Sequence, residues 1–185
     1  KTQGTGDRSV NKDLGFTRAH HVMLSYGFKV SDNMNMKIEP YFQQLYDVPV
    51  ISDSSYSVLN RRDFYVENAL VNRGKGRNIG VDITLERYLN KGLYYMVTAS
   101  IFDSKYYGGD RKWRNTLYNR NFIVNVLGGK EWMVGRDRQN MFSVNFKITL
   151  QGGDRYAPVD EVATLLDPDR EVQYDETKAF SKQFS

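Results

Sequence analysis

The stretch GRNIGVDITLERYLNKGLYYMVTASIF, Gly76 to Phe102, decides how the chain is read. Before Asn90-Lys91-Gly92, the apolar residues Ile79, Val81, Ile83 and Leu85 alternate with Gly80, Asp82, Thr84 and Glu86. After it, Tyr95, Val97, Ala99 and Ile101 alternate with Tyr94, Met96, Thr98 and Ser100. A period of two places successive side chains on opposite faces of a strand. An Asn-Lys-Gly turn between two such runs predicts a hairpin with one greasy face and one wetter face.

The pattern recurs along the chain. Val22, Leu24, Tyr26, Phe28 and Val30 share a face against His21, Met23, Ser25, Gly27 and Lys29. Met36, Ile38 and Phe42 oppose Lys37, Glu39, Tyr41 and Gln43, and Phe142 to Leu150 repeats the alternation. Phe122 to Trp132 is a less regular strand, because Ile123 and Leu127 fall with Asn121 and Asn125. About six strands are expected, in hairpins at about 20–46, 76–104 and 120–152.

Short turns rich in Asn, Asp and Gly (Ser31-Asp32-Asn33, Asn90-Lys91-Gly92, Gly135 to Asn140) join the hairpins. Longer polar connections, about 46–75, 103–120 and 153–185, separate them. In an up-and-down meander this order places the short turns at one rim and the long loops at the other. A compact soluble domain has little use for several structureless loops of more than about 12–15 residues at one end. An outer-membrane barrel has that asymmetry, and its strands need about 9–11 residues to span.

Composition agrees with a wet-and-greasy surface. The 185 residues include 13 Tyr, 10 Phe and 2 Trp, at a mean hydropathy of −0.60. Tyr26, Phe28, Tyr88, Tyr94 and Trp132 gather near the short turns, with Tyr41, Tyr106, Tyr107 and Phe122 toward the loops. Amphipathic rings settle at headgroup level, and Arg87 would snorkel to the same interface. With no cysteine there is no disulfide, no Cys-based metal site and no thiol nucleophile. The 26 basic and 22 acidic residues are intermixed, which speaks against nucleic acid as a partner. No apolar run is long enough for a transmembrane helix. The first residue is Lys1, so the chain is expected to begin inside a longer gene product.

The segments LVNRGKGRNIGVDITLERYLNKGLYYMVTASIFDSKYYGGD, KIEPYFQQLYDVPV and NRNFIVNVLGGKEWMVG resemble the C-terminal barrel of TonB-dependent outer-membrane receptors. GGDRYAPVDE is similar to a loop segment in receptors of this type that carry an N-terminal carboxypeptidase-like regulatory domain. The resemblance covers nearly all of this chain but only about a quarter of such a receptor. It implies active import of a scarce nutrient through a plugged 22-stranded barrel, energised by the TonB system. The plug, the TonB box and the terminal strand with its aromatic end are not in this sequence.

The expected architecture is therefore all-β: part of one antiparallel transmembrane barrel in the outer membrane of a Gram-negative cell. Its partners would be outer-membrane lipid and lipopolysaccharide, a plug domain, the remaining strands and surface lipoprotein or other subunits. Lys29, Lys37, Glu39, Asp82, Glu86, Asn145 and Lys147 would face the lumen. Arg111, Trp113, Arg114 and Tyr118, in an external loop, mix cations with aromatics and are candidate substrate contacts.

Other constellations read more plainly. Adjacent His20 and His21 point to opposite faces of a strand and cannot chelate one ion. Arg73-Gly74-Lys75-Gly76-Arg77 lacks Walker spacing and reads as a flexible loop entry, with lipopolysaccharide phosphate contact as the lesser reading. The acids around Asp167 and Asp175 lack an EF-hand pattern and read as a solvated loop. No nucleophile, paired carboxylate or cofactor motif stands out, so no enzyme and no cofactor are expected. The rival readings are a passive porin or assembly-platform barrel, and a soluble β-sheet binding module.

Overall fold

A computed structural model describes residues 11–60, 66, 68–169 and 171–184. The chain is all-β, and its main element is an antiparallel sheet of eight strands. These are β1 (Arg18–Met23), β2 (Tyr26–Ser31), β3 (Met34–Ile51), β4 (Leu70–Asn90), β5 (Leu93–Tyr107), β6 (Trp113–Asn115), β7 (Phe122–Val134) and β8 (Asn140–Gln151). A small second sheet pairs β9 (Arg155–Tyr156) with β10 (Lys182–Gln183), and one short helix, α1, spans Glu161–Leu166. Among the described residues no helix is long and apolar enough to cross a membrane, which says nothing about strands.

The expected count of six strands is corrected to eight, for two reasons. The first predicted strand is split in two, and both β1 and β2 pair with β3. Pro40 of β3 explains the split. Its carbonyl accepts from the Leu24 N–H at 3.1 Å. In an antiparallel pair the missing Pro40 N–H would have pointed back at the same neighbour, so the ladder breaks at Leu24-Ser25. The other addition, β6, pairs with the end of β5 inside a predicted loop.

Six of the strands follow one another across the sheet in chain order, β1-β3-β4-β5-β7-β8, each antiparallel to the next. The sheet is open, with β1/β2 at one edge and β8 at the other. Turns of a few residues close β2–β3, β4–β5 and β7–β8 at one end, and the long connections lie at the other. At the β4–β5 turn, Lys91 and Gly92 have φ of 50° and 76°. Two positive φ values define the hairpin turn that matches strand twist.

The strands reach farther toward the loops than their alternation indicates. β3 continues to Ile51 and β4 already starts at Leu70, so the 46–75 connection contracts to 52–69; residues 61–65 and 67 of it lie outside the described set. Consequently Arg73 to Arg77 is strand and not a loop entry: Gly74 pairs with Val48 and Gly76 with Leu45.

The buried apolar side chains, Val48, Val50, Tyr106, Leu117 and Ala179, all sit at the loop end. There the 3-10 turn Val58–Asn60 and the segment after β8 fold over one face of the sheet. Gly74 and Gly76 are forced by this cover. A Cβ on Gly74 would lie 2.5 Å from Val50 Cγ1, and one on Gly76 would lie 2.8 Å from Leu45 and Leu59 methyls.

Candidate functional site

Cross-strand partners share a face, so the register sorts the side chains. Across β3, β4, β5, β7 and β8, one row holds Ile38, Ile83, Ala99, Val124 and Leu150. The row nearer the short turns holds Met36, Leu85, Val97, Val126 and Ile148. On β8, Phe142, Val144, Phe146, Ile148 and Leu150 are each about half exposed or more. Among the described residues no second sheet or helix covers this apolar face.

The upper margin of the apolar face slopes. Phe42 and Ile79 share a row; Ile101 and Phe122 end the block one position lower, in the row of Val81. Leu150 ends it lower again, in the row of Ile83. Beyond that margin, on the same face, come Gln44, Arg77 and Asp103. The slip is about one residue per strand. With about 3.3 Å per residue and about 4.8 Å between strands, it corresponds to a tilt of about 35°. On β4 the apolar run is bracketed by Arg77 and Arg87 on the same face. Ten residues span about 33 Å along the strand, or about 27 Å once tilted. Barrel strands tilt by about 35–45° and carry an apolar belt of about 25 Å.

The opposite face is polar and internally bonded. Lys29, Lys37, Glu39, Asp82, Glu86, Asn145 and Lys147 all fall on it by register. Lys37 pairs with Glu39 at 2.8 Å, and Ser100 Oγ donates to Asp82 at 2.5 Å. Thr149 donates to Asn125 at 2.8 Å and Asn125 to Thr98 at 3.3 Å, a ladder across β8, β7 and β5. Tyr94 Oη bonds Asn145 at 2.6 Å while lying over Gly129, and Tyr41 lies over Gly80 in the same way. In each case a ring replaces the missing side chain and holds the register.

The four candidate substrate contacts are dispersed. Arg111 sits exposed at the tip of the 108–112 turn, with φ of 62°. Trp113 lies on the apolar side, 45% exposed, 5.5 Å from the Tyr107 ring. Tyr118 lies on the polar side, beside His21, Tyr41, Gln43 and Asp82. Arg114 is buried in the loop layer, 8% exposed. Its guanidinium grips Asp110 through two bonds, at 2.8 and 2.5 Å, and donates to the Thr177 carbonyl at 3.3 Å. β6 alternation separates Trp113 from Arg114, a signal invisible while 103–120 reads as a loop.

That pair ties the loops together. Arg114 hydrogen bonds, outweighing desolvation, hold the Asp110 carboxyl below its ordinary range. A depressed carboxylate stabilises fully above the unfolded value near pH 4 and loses that contribution as pH falls through the folded value. Proteolysis of the 108–121 connection is thus expected to accelerate as pH falls from about 5 toward about 3. Arg114→Gln should give the fast rate already at neutral pH, at a cost of about 1–3 kcal/mol. An unchanged cleavage rate in either case would refute this role.

The loops enclose a cleft of about 790 Å³ lined by Tyr56, Asn60, Arg155, Tyr174, Glu176 and Phe180, among others. Arg120–Asp154 at 2.7 Å and Ser55–Glu176 at 2.6 Å pin its walls. The acids read as a solvated loop act locally: Asp160 caps α1 through the Ala163 N–H, and Asp175 caps the 176–178 turn. His20 and His21 lie on opposite faces, edge-on to Tyr46 and Tyr41. No family model, no curated protein and no solved structure matches this chain.

Proposed function

We propose that this sheet is a wall segment of an outer-membrane β-barrel, with its apolar face against acyl chains and its polar face toward the lumen. The observation that carries the reading is the sloping, uncovered apolar belt. A soluble sheet would bury such a face, because about 25 cal/mol is gained for each Å² of apolar surface removed from water. A spanning sheet must also pair every backbone group, so the edges at β1/β2 and β8 require further strands. These would come from the same gene product or a neighbouring chain.

The narrower reading is a TonB-dependent receptor importing a scarce nutrient through a plugged barrel, and it rests on the sequence resemblance. The polar ladder suits contact with a plug and with water, and no catalytic role is assigned to it.

The 2 tryptophans make the membrane reading testable. Trp113 and Trp132 lie on the apolar side near opposite ends of the belt. Single-Trp variants reconstituted in vesicles should be quenched more by bromine near the headgroups than at the bilayer centre. Quenching by neither would refute immersion. The plug is tested separately: these 185 residues contain no cysteine, and any elsewhere in the protein is first replaced. Cysteines at Glu39, Asp82 and Lys147 should resist a bulky thiol reagent in the full-length receptor. Ready labelling there would favour an open porin.

A further inference from the structure

We infer that the loop-side rim of the apolar face binds the phosphates of an outer-leaflet glycolipid, an inference that rests on the membrane reading above. On β4, Arg73, Lys75 and Arg77 are exposed, while the intervening Gly74 and Gly76 are buried beneath the loop layer. The cations therefore project from the same face as Ile79, immediately beyond the belt. On β5, Lys105 lies directly opposite Arg77.

Like charges placed directly opposite each other destabilise a sheet unless something neutral or negative intervenes. Asp103 offers one carboxylate, 3.1 Å from Lys105. Lys75 and Arg77 have none within ion-pair distance among the described residues. They lie against aromatic faces instead: Lys75 Nζ is 5.8 Å from the Tyr107 ring centre and Arg77 Cζ 5.5 Å from that of Trp113. Aromatic faces orient cations without neutralising them. The result is a preset row of positive charge at headgroup level, with amphipathic rings beside it.

An anion held here is anchored by what lies below. Acyl chains would run over Ile79, Val81 and Ile101 while phosphate oxygens accept from Arg77, Lys75 and Lys105. A free anion would forgo the apolar contacts.

The test uses the purified full-length protein in detergent, titrated with diphosphorylated lipid A and read by native mass spectrometry. Each cation near an anionic lipid surface contributes about fivefold. The Lys75→Gln/Arg77→Gln/Lys105→Gln variant is thus expected to bind about 100-fold more weakly. Lys75→Arg/Lys105→Arg should keep its binding, which separates charge loss from misfolding. Equal binding of dephosphorylated lipid A, or undiminished binding by the Gln variant, would overturn the site. So would displacement by millimolar inorganic phosphate. Bromine quenching of the Trp132 single-Trp variant in vesicles separates the two levels. If Trp132 is lipid-immersed but phosphate is not preferred, only the rim site fails; if it is not immersed, the membrane reading fails with it.

Discussion

Ile83→Arg is expected to destabilise the folded protein in a bilayer by about 2–4 kcal/mol, the cost of a cation near the midplane on a lipid-facing strand position. Thr84→Arg, the next residue, is expected to be nearly neutral. Ile83 shares its row with Ile38, Ala99, Val124 and Leu150; Thr84 shares one with Lys37, Thr98, Asn125 and Thr149. In a water-exposed sheet both substitutions would be tolerated alike, because neither side chain enters a packed core. Urea titration of the protein folded into vesicles measures the difference. Equal costs at the two positions would remove the lipid from the account.

Tyr106→Ala carries the second large effect. Tyr106 has no exposed surface, lies edge-on to Phe180 at 6.1 Å, and is the largest fully buried side chain among the described residues. Deleting a buried aromatic costs about 3–5 kcal/mol. The loss should be confined to the loop end, as faster exchange in 52–60 and 171–184 with the hairpin turns unaffected. Tyr106→Phe should behave in the opposite sense. Among the described residues the Tyr106 hydroxyl has no hydrogen-bond partner, and burial pushes its pKa up. Its removal should stabilise by about 1 kcal/mol, since it ends an uncompensated desolvation. A destabilising Tyr106→Phe would mean that the hydroxyl is bonded.

The two predictions probe two different kinds of stability within one sheet. At the loop end, apolar side chains are buried against the chain's own loops. Along the hairpins, apolar side chains lie on an uncovered face and the polar face is held by side-chain bonds such as Ser100–Asp82 and Thr149–Asn125. Arg114 and Trp113, adjacent in sequence, fall into the two regimes, one clamped inside the loop layer and the other exposed on the apolar side.

The period-two runs and the order of short turns and long connections made antiparallel hairpins, their faces and the gathering of long connections at one end legible in the sequence. Period two is a local property, set by backbone geometry at each residue, so a strand's faces are legible without its neighbours. The register was not legible, and with it went the slope of the apolar belt, which exists only as a relation among Ile79, Ile101 and Leu150 on different strands. Pro40 was visible, but its consequence, the split of β1 from β2, depends on which neighbour its nitrogen faces. Gly74 and Gly76 looked like loop signals because the sequence does not reveal that Val50, Leu45 and Leu59 cover them. Local periodicity determined what each strand is; long-range packing alone decided which residues meet, because contacts between distant segments leave no spacing to read.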